Sequence, residues 1–166
     1  NDWQTGLAPA WLRWEAGRRV PSVITIHNLS YQGLFAEEAI EALGLPRGAF
    51  TQEGFEFWGA VGFLKAGLVS ADAITTVSPG YAREILTPAF GYGLDGVLRA
   101  RGDALVGILN GADTTVWNPK ADPLIPAPFS AEAPEAKAES RAALAARFEL
   151  EPGDGPILGL VSRLTD

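Results

Sequence analysis

The 166-residue sequence predicts an α/β fold built on a parallel sheet. Short, β-branched apolar runs alternate with longer segments of helical period. Strand and helix in such alternation imply parallel strands covered on both faces. A chain that is 47% apolar and 20% charged carries enough material for a sizeable core, and its length suits one domain or pieces of two.

In chain order, a helix is expected over Gly6–Glu15, then a buried strand over Val20–His27 (VPSVITIH). A short helix follows over Glu37–Leu43 and a long one over Phe55–Ser70, rich in aromatics that suit a core. The run Ala71–Val77 (ADAITTV) is the second strand. Ser78-Pro79 places a capping hydroxyl before a proline at the first helical position, which starts a helix over Pro79–Leu86. Ala104–Leu109 (ALVGIL) is the third strand, Lys137–Leu150 a further helix and Pro156–Val161 (PILGLV) a fourth strand.

Composition shifts between Asn118 and Pro134, where five prolines fall, and Pro-rich segments act as stiff spacers. The expected organisation is one α/β domain portion over 1–111, a Pro-rich linker over 112–136 and the opening of a second domain over 137–166. The absence of Met, with a start on Asn1-Asp2-Trp3, reads as an internal fragment of a longer protein. No apolar stretch is long enough to span a bilayer and no signal peptide is visible, so the expected location is the cytoplasm. With no Cys and a single His, disulfide scaffolds, thiol catalysis and multi-His metal sites are excluded. A net charge of −7 argues against nucleic-acid or anionic-membrane partners.

In open parallel sheets, ligands bind beyond the carboxyl ends of the strands. That rule selects His27 and Asn28 after the first strand, Ser78 after the second, and Asn110, Gly111 and Asp113 after the third. Ser162 and Arg163 follow the fourth, and Asn1-Asp2-Trp3 precedes a helix in the same way. Each has an ordinary alternative: a satisfied lone histidine at His27, a helix N-cap at Asp2, a solvated arginine at Arg163 and a turn at Asn110-Gly111. Five tryptophans suit stacking on sugars as well as core packing.

Two motif matches fail on context. Gly91 to Gly96 (GYGLDG) fits the dinucleotide expression G-x-G-x-x-G, but it follows a helix end at Leu86-Thr87-Pro88 rather than a strand. Asn28-Leu29-Ser30 is a formal glycosylation sequon, which a cytoplasmic chain does not use. No Asp-x-Asp pair is present to hold a diphosphate through a metal.

Six strings, in order, resemble the bacterial glycogen synthase family of ADP-glucose-using glycogen and starch synthases. They are NDWQTGLAPAWL, ITIHNLSYQGLF, FLKAGLVSADAITTVSPGYAREI, YGLDGVL, ILNGADTTVWNP and LVSRLTD, covering nearly the whole chain. The resemblance implies a glycosyltransferase-B fold, two Rossmann-like domains facing across a cleft, of which this chain holds the end of the first and the start of the second. It implies transfer of glucose from ADP-glucose to the non-reducing end of an α-1,4-glucan such as glycogen, with retention and with no metal or other cofactor. On that basis, His27 contacts the donor glucose, Asp2 lies beside the reacting sugar, Asn28 and Asn110 line the cleft with Trp3 and Ser162, and Arg163 binds the donor diphosphate. A guanidinium suits that task because it keeps its charge and forks two N–H bonds onto phosphate oxygens. The family's Lys-Thr-Gly-Gly loop, downstream lysine and catalytic glutamate are expected outside this chain, which by itself is expected to be inactive. Gln4 stands where many members carry His, and Ala112 where Val is usual. Related readings are another sugar-nucleotide transferase of the same fold and a non-catalytic glucan-binding relic.

Overall fold

The computed structural model describes residues 1–14, 20–151, 153 and 155–162. They form two compact units, Asn1–Asn110 and Gly111–Asp166. In the first, a 3-10 turn at Trp3–Thr5 leads into α1 (Leu7–Trp14), then β1 (Val23–Ile26), β2 (Leu34–Phe35) and α2 (Ala39–Ala42). Next come β3 (Glu56–Phe57), β4 (Ala60–Gly62), α3 (Phe63–Ser70), β5 (Ala73–Thr76), α4 (Pro79–Glu84), α5 (Asp95–Arg101) and β6 (Leu105–Gly107). The second unit contributes α6 (Lys137–Arg147).

The main sheet of the first unit is parallel, in the order β1-β5-β6, with Ile24 opposite Ile74 and Thr75 opposite Val106. Its three strands fall inside the three runs expected there. Alternation along β1 buries Ile24 and Ile26, and along β5 it buries Ile74 and Thr76. The carboxyl ends of β1 and β5 are stitched by side chains: Thr76 Oγ1 donates to Ile26 O at 2.8 Å, and the Thr25 and Thr75 hydroxyls meet at 2.8 Å. Such bonds fix the rim of the sheet on which His27 and Asn28 stand.

α1 and α3 cross at two glycines. A Cβ on Gly67 would come within 2.3 Å of Ile24 Cδ1 and 3.0 Å of the Gly6 Cα. Only hydrogen side chains allow that approach, and the gain is burial of Leu64, Ala66 and Leu68 on α3. Ser78 caps α4 as expected: its Oγ accepts the Tyr81 N–H at 2.9 Å, with Pro79 at the first helical position.

The helix expected over Phe55–Ser70 forms only from Phe63 onward. Residues 56–62 instead make the β3–β4 hairpin, part of a small antiparallel sheet in the order β2-β4-β3. The reason is the two-residue turn at Trp58-Gly59, whose φ values of 53° and 79° suit a hairpin and exclude a helix. The aromatics therefore separate: Phe55 is fully buried, whereas Trp58 is 85% exposed rather than part of a core.

Lys65 is buried inside this region, with its Nζ donating to Gln52 O at 2.7 Å and to Glu56 O. Burial lowers its pKa, a shift opposed in part by the carboxylates of Glu56 and Glu53.

In the second unit the Pro-rich segment runs through turns. The side chains of Asp113, Asn118, Asp122 and Ser130 each accept a backbone N–H two residues on. Phe129 N donates to Pro119 O at 3.1 Å, which folds the segment back on itself. The fourth expected strand, Pro156–Val161, does not form. Its Leu158 and Leu160 are exposed, and no described strand lies beside it to take its backbone bonds. Glu15, the expected end of the first helix, lies outside the described residues.

Candidate functional site

The carboxyl end of β1 holds a polar arrangement built around Asp2. Its N–H donates to Thr25 O at 2.8 Å, which seats the residue against the edge of β1. Asp2 has φ 49°, a left-handed conformation unusual for a residue with a Cβ. Its carboxylate makes no capping bond to the Trp3–Thr5 turn, so the N-cap alternative fails. Instead, Asp2 Oδ1 accepts the His27 N–H at 2.7 Å and the Asn28 N–H at 3.4 Å. The next amide, Leu29 N–H, is taken by the Tyr81 hydroxyl at 3.0 Å. Three consecutive backbone donors leaving the strand are thus held by two side chains from distant elements.

That clamp fixes the backbone that carries the candidate side chains. His27 Nε2 lies 2.9 Å from Asn1 Oδ1, to which it donates when it carries the proton. The Asn28 Oδ1 accepts the Ser30 N–H at 3.0 Å and the Ser30 hydroxyl at 2.7 Å. Its carbonyl oxygen is therefore committed to the turn, and its two amide N–H donors are what it offers a ligand. A fixed carboxylate, an imidazole and an amide donor on one rigid rim form an arrangement able to orient a hydroxyl-bearing ligand and meet its charge.

Trp3, next to Asp2 in the chain, is half-buried, and its ring packs 6.0 Å from that of Phe35 and 6.3 Å from that of Phe63. Asn110 is exposed at the end of the first unit, beyond the Ile108 N–H that still donates to Thr76 O. With strands about 4.8 Å apart, the end of β6 stands roughly 10 Å from that of β1, and Asn110 follows it by three residues. In the second unit, Asp113 accepts from the Thr115 hydroxyl and from the Thr115 and Val116 amides, which together hold its carboxyl below the ordinary range. Ser162 is exposed, and Arg163 lies outside the described residues.

The structure therefore brings together Asp2, His27 and Asn28, while Trp3 packs against Phe35 and Phe63. Asn1, named with Asp2 by the strand-end rule, belongs to the arrangement, and so does Tyr81, which that rule does not single out. A signal for Tyr81 does exist in the sequence: it lies three residues after the Ser78 cap, on the first turn of a helix that begins at the rim. Among the described residues no group of three or more His, Asp or Glu side chains could hold a metal ion, and no helix is long and apolar enough to cross a membrane.

The sequence is similar to those of proteins named glycogen synthase. The glycogen synthase of Roseobacter denitrificans is 52% identical over 166 residues, covering 99% of this chain and 35% of the relative. That of Alkalilimnicola ehrlichii is 56% identical over 171 residues, covering 100% of this chain and 35% of the relative. This chain thus spans about a third of the length of these relatives. Among solved structures, the catalytic domain of Starch Synthase IV from Arabidopsis thaliana, bound to ADP and acarbose, superposes with a TM-score of 0.72 at 31% identity. The match covers 93% of this chain and 33% of that one, and it identifies the α/β architecture as glycosyltransferase-B type. The family model of the starch synthase catalytic domain matches residues 1–100, the stretch that contains Asp2, His27 and Asn28, and the chain belongs to that family.

Proposed function

We propose that this chain is part of a glycogen synthase that transfers glucose from ADP-glucose to the non-reducing end of an α-1,4-glucan, with retention at the anomeric carbon. The observation that carries the reading is the clamp of Asp2 Oδ1 on the amides of His27 and Asn28 at the carboxyl end of β1. In a chain of this family, that rim is where a sugar donor is expected to meet its acceptor. The relatives named glycogen synthase, and a structural neighbour bound to ADP and acarbose, support both substrates.

His27 and Asn28 orient the transferred glucose through hydrogen bonds to its hydroxyls, while Asp2 holds both residues and adds negative charge beside an anomeric carbon that becomes cationic in the transition state. Arg163 meets the donor diphosphate and stabilises charge growing on the leaving ADP. Asn110 in the first unit and Ser162 in the second each add a polar group for binding substrate. The first unit is the end of the acceptor-side domain and the second the start of the nucleotide-side domain, in the bacterial cytoplasm.

The test uses the full-length protein that contains this segment, incubated with glycogen and either ADP-glucose or UDP-glucose. Release of ADP with growth of an α-linked chain is the expected result. A folded protein silent with both donors, or one adding glucose in the β configuration, would overturn the reading.

A further inference from the structure

The anchoring of the turn after β1 changes hands along the chain. Asp2 Oδ1 accepts the His27 N–H at 2.7 Å but the Asn28 N–H only at 3.4 Å, longer than a well-formed bond. The Tyr31 N–H reaches back to Asn28 O at the same 3.4 Å. Between these two weak contacts stands a good one, from the Leu29 N–H to the Tyr81 hydroxyl at 3.0 Å. The Leu29 side chain is fully buried in the cluster against which the Tyr81 ring packs. Leu29 is thus held twice, by its side chain in the core and by its amide on Tyr81.

Asn28 depends on that anchor. Its Oδ1 is taken by the Ser30 N–H at 3.0 Å and the Ser30 hydroxyl at 2.7 Å, so the side chain turns with the backbone of residues 28–30. Whatever fixes that backbone decides where the free amide donors of Asn28 point, and by distance Tyr81 does more of this than Asp2.

Tyr81 is itself seated from behind. Its N–H donates to Ser78 Oγ at 2.9 Å on the first turn of α4. A Cβ on Gly107 of β6 would come within 2.2 Å of Ser78 O and 2.5 Å of Pro79 N, so the start of α4 rests directly on that strand. A stiff ring with few rotatable bonds then carries the hydroxyl from this seat to Leu29.

We propose that Tyr81 is a positioning residue: its hydroxyl holds the Leu29 amide and so sets the direction of the Asn28 amide donors at the β1 rim. It acts through Leu29 and not on the substrate itself. Its part in glucosyl transfer rests on the proposed glycogen synthase reading, in which Asn28 orients the transferred glucose. Misdirected donors lose contact chiefly in the transition state, so kcat falls while KM stays.

The test is Tyr81→Phe in the full-length protein, a change that keeps the ring in the core and removes only the hydroxyl. With glycogen and ADP-glucose, kcat is expected to fall about tenfold at unchanged KM, less than the cost of a full 1 Å misplacement. Exchange of the Leu29 amide accelerates in the same variant. A purely structural bond would lower the unfolding midpoint and leave kcat of the folded protein untouched. Ser78→Ala, which removes the cap beneath Tyr81, lowers kcat by less, and Ser78→Thr, which keeps a hydroxyl, restores it. Should Tyr81→Phe fail to fold, the Ser78 pair decides alone. A folded Tyr81→Phe enzyme with kcat within twofold of wild type, with a raised KM at unchanged kcat, or with unchanged Leu29 exchange overturns the positioning role. A wild type that releases no ADP overturns the glycogen synthase reading instead, and the Leu29 exchange rate still decides whether Tyr81 holds the turn.

Discussion

The runs ADAITTV and PILGLV look alike as sequence, yet the structure treats them differently. In the first unit, Ile74 of β5 is fully buried between β1 and β6. In the second, Leu158 is 90% exposed and the run forms no strand. The contrast extends to whole units. The first buries two apolar clusters, around Leu64 and Ile74 and around Phe55 and Val61. Among the described residues of the second, Ala127 is the sole buried side chain, and α6 buries none. Apolar pattern is thus a request for partners; where β5 has them, burial follows, and where Pro156–Val161 has none beside it, the backbone stays open.

The largest consequence is a difference in local stability. Amides of β1 and β5 open only with the core, so hydrogen exchange there should be slowed by about 10³ or more, given ordinary global stabilities. An 11-residue helix without a buried face is marginal on its own, so α6 amides should exchange within about tenfold of the unfolded rate. Equal protection in α6 and β5, measured by exchange on this chain, would break the comparison.

Removing the carboxylate of Asp2 comes next. Asp2→Ala leaves the His27 and Asn28 amides without their acceptor, and in the full-length protein kcat should fall about a hundredfold, the scale of a small misplacement of catalytic groups. A variant within twofold of wild type would mean that the rim is fixed by Tyr81 and the sheet alone.

A smaller effect separates the units by packing. Gly67→Ala drives a methyl into Ile24 and the Gly6 backbone, and overpacking of this kind costs about 1–3 kcal/mol. The urea midpoint of the first unit should drop accordingly. Ala142→Gly in α6 lowers helix content at a propensity cost of about 1 kcal/mol, yet it should leave that midpoint unchanged. Movement of the midpoint by Ala142→Gly would show the two units to be coupled.

How much of this was legible without coordinates follows the same division. β1, β5 and β6 were visible because their short apolar runs are bounded by clear helix signals, and alternation along β1 and β5 buries Ile24, Ile26 and Ile74. The hairpin was not: a Phe-rich stretch from Phe55 has the aromatic density of a helix face, and the two-residue turn at Trp58-Gly59 is all that contradicts it. The two-residue strand Leu34–Phe35 is too short to show a period, and it exists because Val61 and Gly62 pair with it. At the site, the strand-end rule reached Asp2, His27 and Asn28 without reference to any relative. It could not reach Tyr81, whose hydroxyl acts on Leu29 across 52 residues of chain. Nor could spacing reveal that Trp3 packs against Phe35 and Phe63.

The smallest expected effect concerns Asp113. The Thr115 hydroxyl, then the Thr115 and Val116 amides, favour its charged form and lower its pKa from the ordinary 3.8. A carboxyl whose folded pKa is depressed contributes stability above its unfolded value and loses it as pH falls through the folded value. The turn at Asp113–Trp117 should therefore be intact at neutral pH and loosen only below 3.8, with faster exchange of the Thr115 and Val116 amides. Because the carboxyl is fully exposed, solvent screens the interaction and the change stays local. Asp113→Asn should remove the acid dependence while leaving exchange in β1 and β5 as it was. If lowering the pH instead opened the first unit in step with this turn, the burial contrast between the units would no longer describe where stability resides.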